Sequence, residues 1–535
     1  MVKSTVSKSF VGGEILTFNL TILSTSDVHG FVYPTNFVKR HLNLPFGLLK
    51  AAQVIENERK NATGPVLTVD AGDVLEGSPL TEYLAKFSTP PAPQRLLRAY
   101  NAIGYDVGVL GNHEFNYGLD YLKKAIKSTD YPVLSANILD QQKNSIANGA
   151  YRIFDKQGVR IAVLGLTTAY IPFWEDPVHI KGLQFKKVLK TARHYVEELR
   201  KKVDVIIVVY HGGFERDLKS GQETESLRGE NVGYELLKTV KGIDALVSAH
   251  QHRLIATKLF GIPVVQAGHR GAVVGKITLK IDPQQKHMVV GASSELISTG
   301  KSPLHKKIKA IMTDVESDTQ SWLDQPLGKV QGDMKITDPF KARVEESAFI
   351  EFIQKVQMAA TGTSISATAL FNNEATGFDE QITMREVVTN YVYPNSLAVL
   401  RVSGADLRAA LEVSAKYFMI NQQGKLIVNP RYLSPKKRHY NYDMYEGIDY
   451  TLDISKPVGK RVVRLMNKGH VIAPNDSFEI VLNKYRAVGG GHYPMFSEGK
   501  IIRENTEAMS ELIADYLQKH PVITASVNSN FKIIK

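Results

Sequence analysis

The sequence predicts a two-part protein, with an α/β layered unit over residues 15–300 and an α+β unit over residues 326–535. Three observations predict this. Short apolar runs alternate with helix-length amphipathic stretches through the first part. Several of those runs are apolar without alternation, as strands buried on both faces must be. The composition changes at Pro326, and a chain of 535 residues is too long for one hydrophobic core.

The first strand is read at Ile15–Leu23, where Thr17, Asn19 and Thr21 alternate with apolar residues. Further strands are read at Pro65–Asp70, Tyr105–Gly111, Val159–Thr167, Asp204–Tyr210, Ile243–Ala249 and Pro263–Ala267. The run Val205-Ile206-Ile207-Val208-Val209 calls for cover on both sides. Leu189–Lys202 supplies one covering helix, with Leu189, Ala192, Val196 and Leu199 on one stripe. Residues 302–325 read as a charged amphipathic helix, with Leu304, Ile308, Ile311, Met312 and Val315 inward, and residues 301–325 form the connector. Beyond it come Tyr- and Asn-rich loops, a helix at Gly404–Tyr417 and a glycine triplet at 489–491.

The chain has no cysteine, which excludes disulfides, thiolate zinc sites and cysteine nucleophiles and leaves histidine and oxygen donors for any metal. Its net charge of +12 is scattered, and the densest basic run is only Lys436-Lys437-Arg438-His439. That excess fits a small acidic substrate; no polymeric nucleic acid is expected as a partner. Met1 to Glu14 lacks the apolar core of a signal peptide, and no run approaches the ~20 apolar residues of a membrane span. As written, the chain is expected in the cytoplasm, with no membrane partner.

Ligand-type side chains recur at the C-terminal ends of the apolar runs, where open α/β sheets gather their ligands. The first run ends in Asp27-Val28-His29, whose two side chains would share a face of an extended segment. The second ends in Gly72-Asp73, the glycine allowing a tight turn. The others give Gly111-Asn112-His113-Glu114, then His211, then His250-Gln251-His252. Asp27, His29, Asp73, Asn112, His211, His250 and His252 exceed what one metal needs. Their mixed carboxylate, imidazole and amide donors suit Mn²⁺, Zn²⁺, Fe²⁺ or Co²⁺ better than Ca²⁺ or Mg²⁺.

This ordered set resembles the calcineurin-like metallophosphoesterases, and the whole chain resembles their bacterial 5′-nucleotidase/2′,3′-cyclic-nucleotide 2′-phosphodiesterase branch. The resemblance implies a four-layer sandwich with helices flanking two sheets, plus a C-terminal nucleotide-recognition domain. It implies two divalent metal ions, one on Asp27, His29 and His252, the other on Asn112, His211 and His250, with Asp73 bridging. It makes His113 the residue that stabilises the transition state or protonates the leaving oxygen. Relatives of this kind are commonly exported to the periplasm or cell surface.

One departure from the 5′-nucleotidase pattern stands beside His113. Asn116 occupies the place of an Asp that would pair with it, and asparagine can orient an imidazolium without opposing its charge. The run Asn116-Tyr117-Gly118-Leu119-Asp120-Tyr121 resembles the 2′,3′-cyclic-nucleotide 2′-phosphodiesterase/3′-nucleotidase subgroup. The expected reaction is therefore that one, with a broad-specificity 5′-nucleotidase as the alternative and a catalytically silent nucleotide-binding protein as a remote one.

In the second part, Tyr485 matches the family position that stacks on the base, with Tyr442 or Tyr440 as its partner. Asn372, Asn373 and Arg486 are candidate ribose or phosphate contacts. Leu370–Ala375 contains no arginine where 5′-nucleotidases grip the nucleotide, and Gly491 stands where they carry an Asp.

Overall fold

The computed structural model describes residues 17–535 apart from 226, 394, 435, 436 and 506. The N-terminal stretch through Leu16, including the expected strand start at Ile15, and Lys436 of the basic run lie outside the described residues.

Two six-stranded sheets form the heart of the first part. In one, Phe18–Thr25, Val66–Asp70, Val107–Val109 and Val133–Leu134 run parallel, and Val273–Ile281 and Val289–Ser298 close one edge antiparallel. In the other, Val159–Thr167, Val205–His211, Ala245–Ser248 and Ile262–Ala267 are parallel, flanked by antiparallel Tyr151–Lys156 and Leu254–Leu259.

The run at 205–209 shows how the layers are assembled. Val205, Ile207 and Val209 pack with Leu20, Ile22 and Val69 of the facing sheet. Ile206 and Val208 pack instead with Val188, Ala192 and Val196 of the helix Val188–Leu199. Period-two alternation thus sends successive apolar side chains into two different cores. Helices Leu48–Asn61 and Pro93–Ile103 cover the other sheet through Leu48, Ile55, Leu96 and Tyr100. The result is helix, sheet, sheet, helix.

The connector is two helices, Lys306–Ile311 and Thr313–Leu323, broken at Met312. Ile308, Met312 and Val315 remain buried across the break. Asp318 pairs with Arg95 of the first part at 2.6 Å, and Asp324 with Arg385 of the second at 2.5 Å.

The second part is built on a five-stranded sheet in the order Asp443–Glu446, Ile365–Ala369, Ser477–Asn483, Leu397–Ser403 and Ile501–Asn505. Its helix Gly404–Ala415 starts at a Ser403/Asp406 capping box. Tyr417, expected within that helix, lies beyond its end and stacks on Tyr442 at 5.0 Å. Among the described residues no helix is long and apolar enough to cross a membrane.

Candidate active site

The predicted ligands meet where strands of both sheets end, against the second part. Their loops are laced together: the Asp27 amide donates to Gly72 O and the His29 amide to Asp73 O, each at 2.9 Å. Gly72, at φ 93°, is required, because a Cβ there would lie 2.5 Å from the Gly111 nitrogen. A Cβ on Gly111 would fall 2.2 Å from Asp73 Oδ1.

The extended Asp27-x-His29 segment expected from the sequence is not what forms. Asp27 and His29 have φ values of 50° and 53°, and Asp73, His250 and His252 lie at 59°, 71° and 56°. Non-glycine residues avoid this left-handed region, and such strain persists only where surrounding structure holds it, typically at functional sites. Left-handed turns at alternate residues, rather than strand pleating, aim both side chains inward.

Two groups of donors result, Asp27 with His29 and His252, and Asp73 with His211 and His250. His29 Nδ1 donates to Glu76 O at 2.9 Å and His211 Nδ1 to Ala71 O at 2.7 Å. A carbonyl can only accept, so in both rings the Nε2 lone pair is left for the cluster. His29 Nε2 lies 3.2 Å from His252 Nε2, and His211 Nε2 lies 3.2 Å from Asp73 Oδ2 and 3.1 Å from Asn112 Oδ1. His250 directs Nδ1 at Asn112 Oδ1, 2.8 Å away, and Nε2 at the Glu230 carboxylate. So many acceptors converging on so little space fit divalent cations, with outer hydrogen bonds already in place. Burial pushes His29 down to about 3, keeping it neutral for a metal despite Asp73. Burial also works against the charged form of His211, but Asp73 outweighs it and raises the group to about 9.

His113 follows Asn112 and lies beside the cluster, its amide donating to Asp73 Oδ1 at 2.9 Å. Its Nδ1 lies 2.7 Å from Asn116 Oδ1, as sequence reasoning expected of that pair, and 2.8 Å from Glu76 Oε2, which it missed. Burial lowers this imidazole, but the Glu76 and Asp73 carboxylates prevail and lift it to about 10. Asn116 Nδ2 in turn donates to Glu175 Oε2 at 2.7 Å.

Two cavities flank the cluster, about 670 Å³ on the His250 side and about 770 Å³ on the His113 side. Tyr485 and Trp174 line both, and Trp174 stacks on His250 with ring centroids 5.5 Å apart. Tyr440 lines the first cavity and meets Tyr485 edge-on at 6.4 Å.

The other expected substrate contacts are engaged elsewhere. Tyr442 is fully buried, with its hydroxyl on Arg343 O at 2.9 Å, and cannot present a face to a base. Arg486 is 1% exposed, ion-paired with Asp443 at 2.6 Å and packed over Tyr493, so it organises the loop. Asn372 accepts from the amides of Glu374 and Ala375, and Asn373 accepts from Arg343; neither lines the two cavities. Trp174 and Glu175 escaped the sequence reading, because the stretch that follows the strand Val159–Thr167 carries no histidine or carboxylate before Trp174.

A fold of two face-to-face sheets with this donor cluster at their strand ends defines a metal-dependent phosphoesterase. Residues 20–254 match the calcineurin-like phosphoesterase family and residues 326–498 the 5′-nucleotidase C-terminal domain. A Salmonella typhimurium protein named 2′,3′-cyclic-nucleotide 2′-phosphodiesterase/3′-nucleotidase is 30% identical, over 89% of this chain and 82% of its own. The Bacillus subtilis trifunctional nucleotide phosphoesterase YfkN is 27% identical over 96% of this chain, which spans 39% of that relative. A Staphylococcus aureus structure, assigned provisionally as a 5′-nucleotidase and solved with alpha-ketoglutarate, has a TM-score of 0.89 and 37% identity, covering 97% of this chain and 100% of that one. The chain belongs to the calcineurin-like metallophosphoesterases, in the bacterial 5′-nucleotidase/2′,3′-cyclic-nucleotide 2′-phosphodiesterase family.

Proposed function

We propose that the chain hydrolyses phosphate esters of nucleotides at a two-metal centre, as a 2′,3′-cyclic-nucleotide 2′-phosphodiesterase with 3′-nucleotidase activity. The observation behind the two-metal reading is the position of Asp73. Its Oδ2 faces both donor groups, 3.2 Å from His211 Nε2 and 3.9 Å from His29 Nε2. In this reading Asp27, His29 and His252 would hold one ion and Asn112, His211 and His250 the other, with Asp73 placed to serve both. Mn²⁺, Zn²⁺, Fe²⁺ or Co²⁺ fit the donors. When bound, such a pair acidifies a water and neutralises charge on the phosphoryl oxygens.

The chain's own residues supply the rest. His113 donates a proton to the leaving oxygen, and Tyr485 and Tyr440 receive the base within the cavity shared by the two parts. The cyclic-nucleotide assignment is supported by Asn116 and by the name of the Salmonella relative. A broad 5′-nucleotidase is the second reading, favoured by the likeness to the Staphylococcus aureus structure.

The deciding experiment strips the protein of metal, restores each ion singly, and compares hydrolysis of 2′,3′-cyclic AMP, 3′-AMP and 5′-AMP. Metal-dependent turnover of the first two above the third supports the proposal. A preference for 5′-AMP selects the second reading, and activity that survives chelation removes the two-metal mechanism.

A further inference from the structure

We infer that Glu76 is a positioning residue for His113, supplying from a different loop the carboxylate that Asn116 lacks. The inference rests on the reading of His113 as general acid. Asn116 can give that imidazole only an amide oxygen. Its orientation is settled by Glu175: a carboxylate accepts, so the Asn116 Nδ2 faces Glu175 Oε2 at 2.7 Å and its Oδ1 faces His113 at 2.7 Å. The Glu76 carboxylate reaches the same nitrogen at 2.8 Å, with its side chain 4% exposed. Two acceptors on Nδ1 require that nitrogen to carry hydrogen, which leaves Nε2 as the atom that exchanges a proton with substrate.

Glu76 is also tied to the donor cluster. Its backbone oxygen accepts from His29 Nδ1 at 2.9 Å, and a Cβ on the following Gly77 would lie 2.7 Å from His29. One residue thus sets the tautomer of a ligand imidazole through its carbonyl and of the general acid through its carboxylate. Position 76 lies three residues after Asp73, on the loop whose backbone the donor cluster itself holds. The carboxylate is therefore anchored rather than borne on a mobile side chain at the rim.

In the reaction, the P–O bond to the leaving oxygen breaks as water adds to phosphorus and releases a proton to solvent. The electron pair of the broken bond stays on the leaving oxygen and takes the proton from His113 Nε2. The imidazole left behind is neutral, keeps its Nδ1 hydrogen on Glu76 and Asn116, and regains a proton from solvent. The Glu76 and Asn116 oxygens on Nδ1 hold the ring plane so that Nε2 is presented to the leaving oxygen through this step.

The test uses the full-length, metal-loaded protein and compares wild type, E76Q, E76A, N116D and E76Q/N116D. Two substrates are followed: 2′,3′-cyclic AMP, whose sugar oxygen needs a proton to leave, and bis-p-nitrophenyl phosphate, whose phenolate does not. E76Q is expected to lower kcat on 2′,3′-cyclic AMP by ~10- to 100-fold, while KM and the bis-p-nitrophenyl rate change by less than ~3-fold. Metal content and melting temperature should stay at wild-type values, and N116D should restore most of the loss in the E76Q background. E76A, which also removes the hydrogen bond, should lose more. Equal losses on the two substrates, loss of metal, or no recovery in the double variant would each overturn the inference. Wild-type turnover of nucleotides with E76Q unimpaired refutes it while leaving the proposed function standing. A wild type inactive on every nucleotide with every metal removes both.

Discussion

The Glu114 carboxylate holds Asp73 in its left-handed turn. One oxygen accepts from the Asp73 amide at 3.0 Å and the Gly111 amide at 2.5 Å, and the other accepts from Val74 at 2.5 Å. Removing it leaves three buried donors unsatisfied, each costing about 1–3 kcal/mol. Glu114→Ala should therefore melt well below wild type in calorimetry and bind less metal, while Glu114→Gln, which keeps one acceptor oxygen, should lose less. A Glu114→Ala protein with native melting and full metal content would show that Asp73 is held by other contacts.

Asp73→Asn keeps the shape that accepts the His113 amide but removes the charge facing both donor groups. Activity is expected to fall by ~10²-fold or more, with metal content reduced and the circular dichroism spectrum unchanged. Elemental analysis beside kinetics checks this, and full activity in the variant contradicts a spanning role.

Tyr485 lines both cavities, so its loss should act on substrates that carry a base. Tyr485→Ala should raise KM for 2′,3′-cyclic AMP by roughly one to two powers of ten, from ~1–3 kcal/mol of lost stacking. Bis-p-nitrophenyl phosphate should change much less, and adenine and guanine nucleotides should suffer alike. Tyr440→Ala should follow the same pattern, whereas Tyr442→Ala should destabilise the protein and affect all substrates equally.

His439 gives stability a pH dependence away from the metal cluster. It is buried, takes a hydrogen bond from the Tyr417 hydroxyl at 2.6 Å, and is lowered to about 4 by burial, with Arg343 and Lys437 adding to the effect. The folded protein thus favours the neutral ring. The contribution is complete above the ordinary value near 6.5 and is lost as pH falls from there towards 4. Urea midpoints between pH 7 and 4 should decline in wild type and flatten in His439→Gln; parallel profiles would assign the acid sensitivity to other groups.

Much of the donor cluster was legible because each member belongs to a short motif at a strand end. Parallel sheets place such ends side by side, Asp27, Asp73 and Asn112 on one and His211 and His250 on the other, and the packing of sheet on sheet joins the two sets. The unbroken apolar run Val205 to Val209 likewise foretold cover on two faces. The break at Met312 was not legible, since apolar residues on both sides keep one stripe while the backbone changes direction.

What the sequence determined by itself was therefore local: which strands form, which side chains stand at their ends, and that those donors suit divalent metals. What only the tertiary structure decided was how residues far apart in the chain are used. Tyr440 and Tyr442 are near-identical in sequence context, yet one lines the cavity and the other is sealed against Tyr417. Glu76 reaches His113 from another loop, and Trp174 comes to rest on His250. The reason is physical: strand and turn preferences act over a few residues, whereas burial and pairing depend on which surfaces long-range packing brings together.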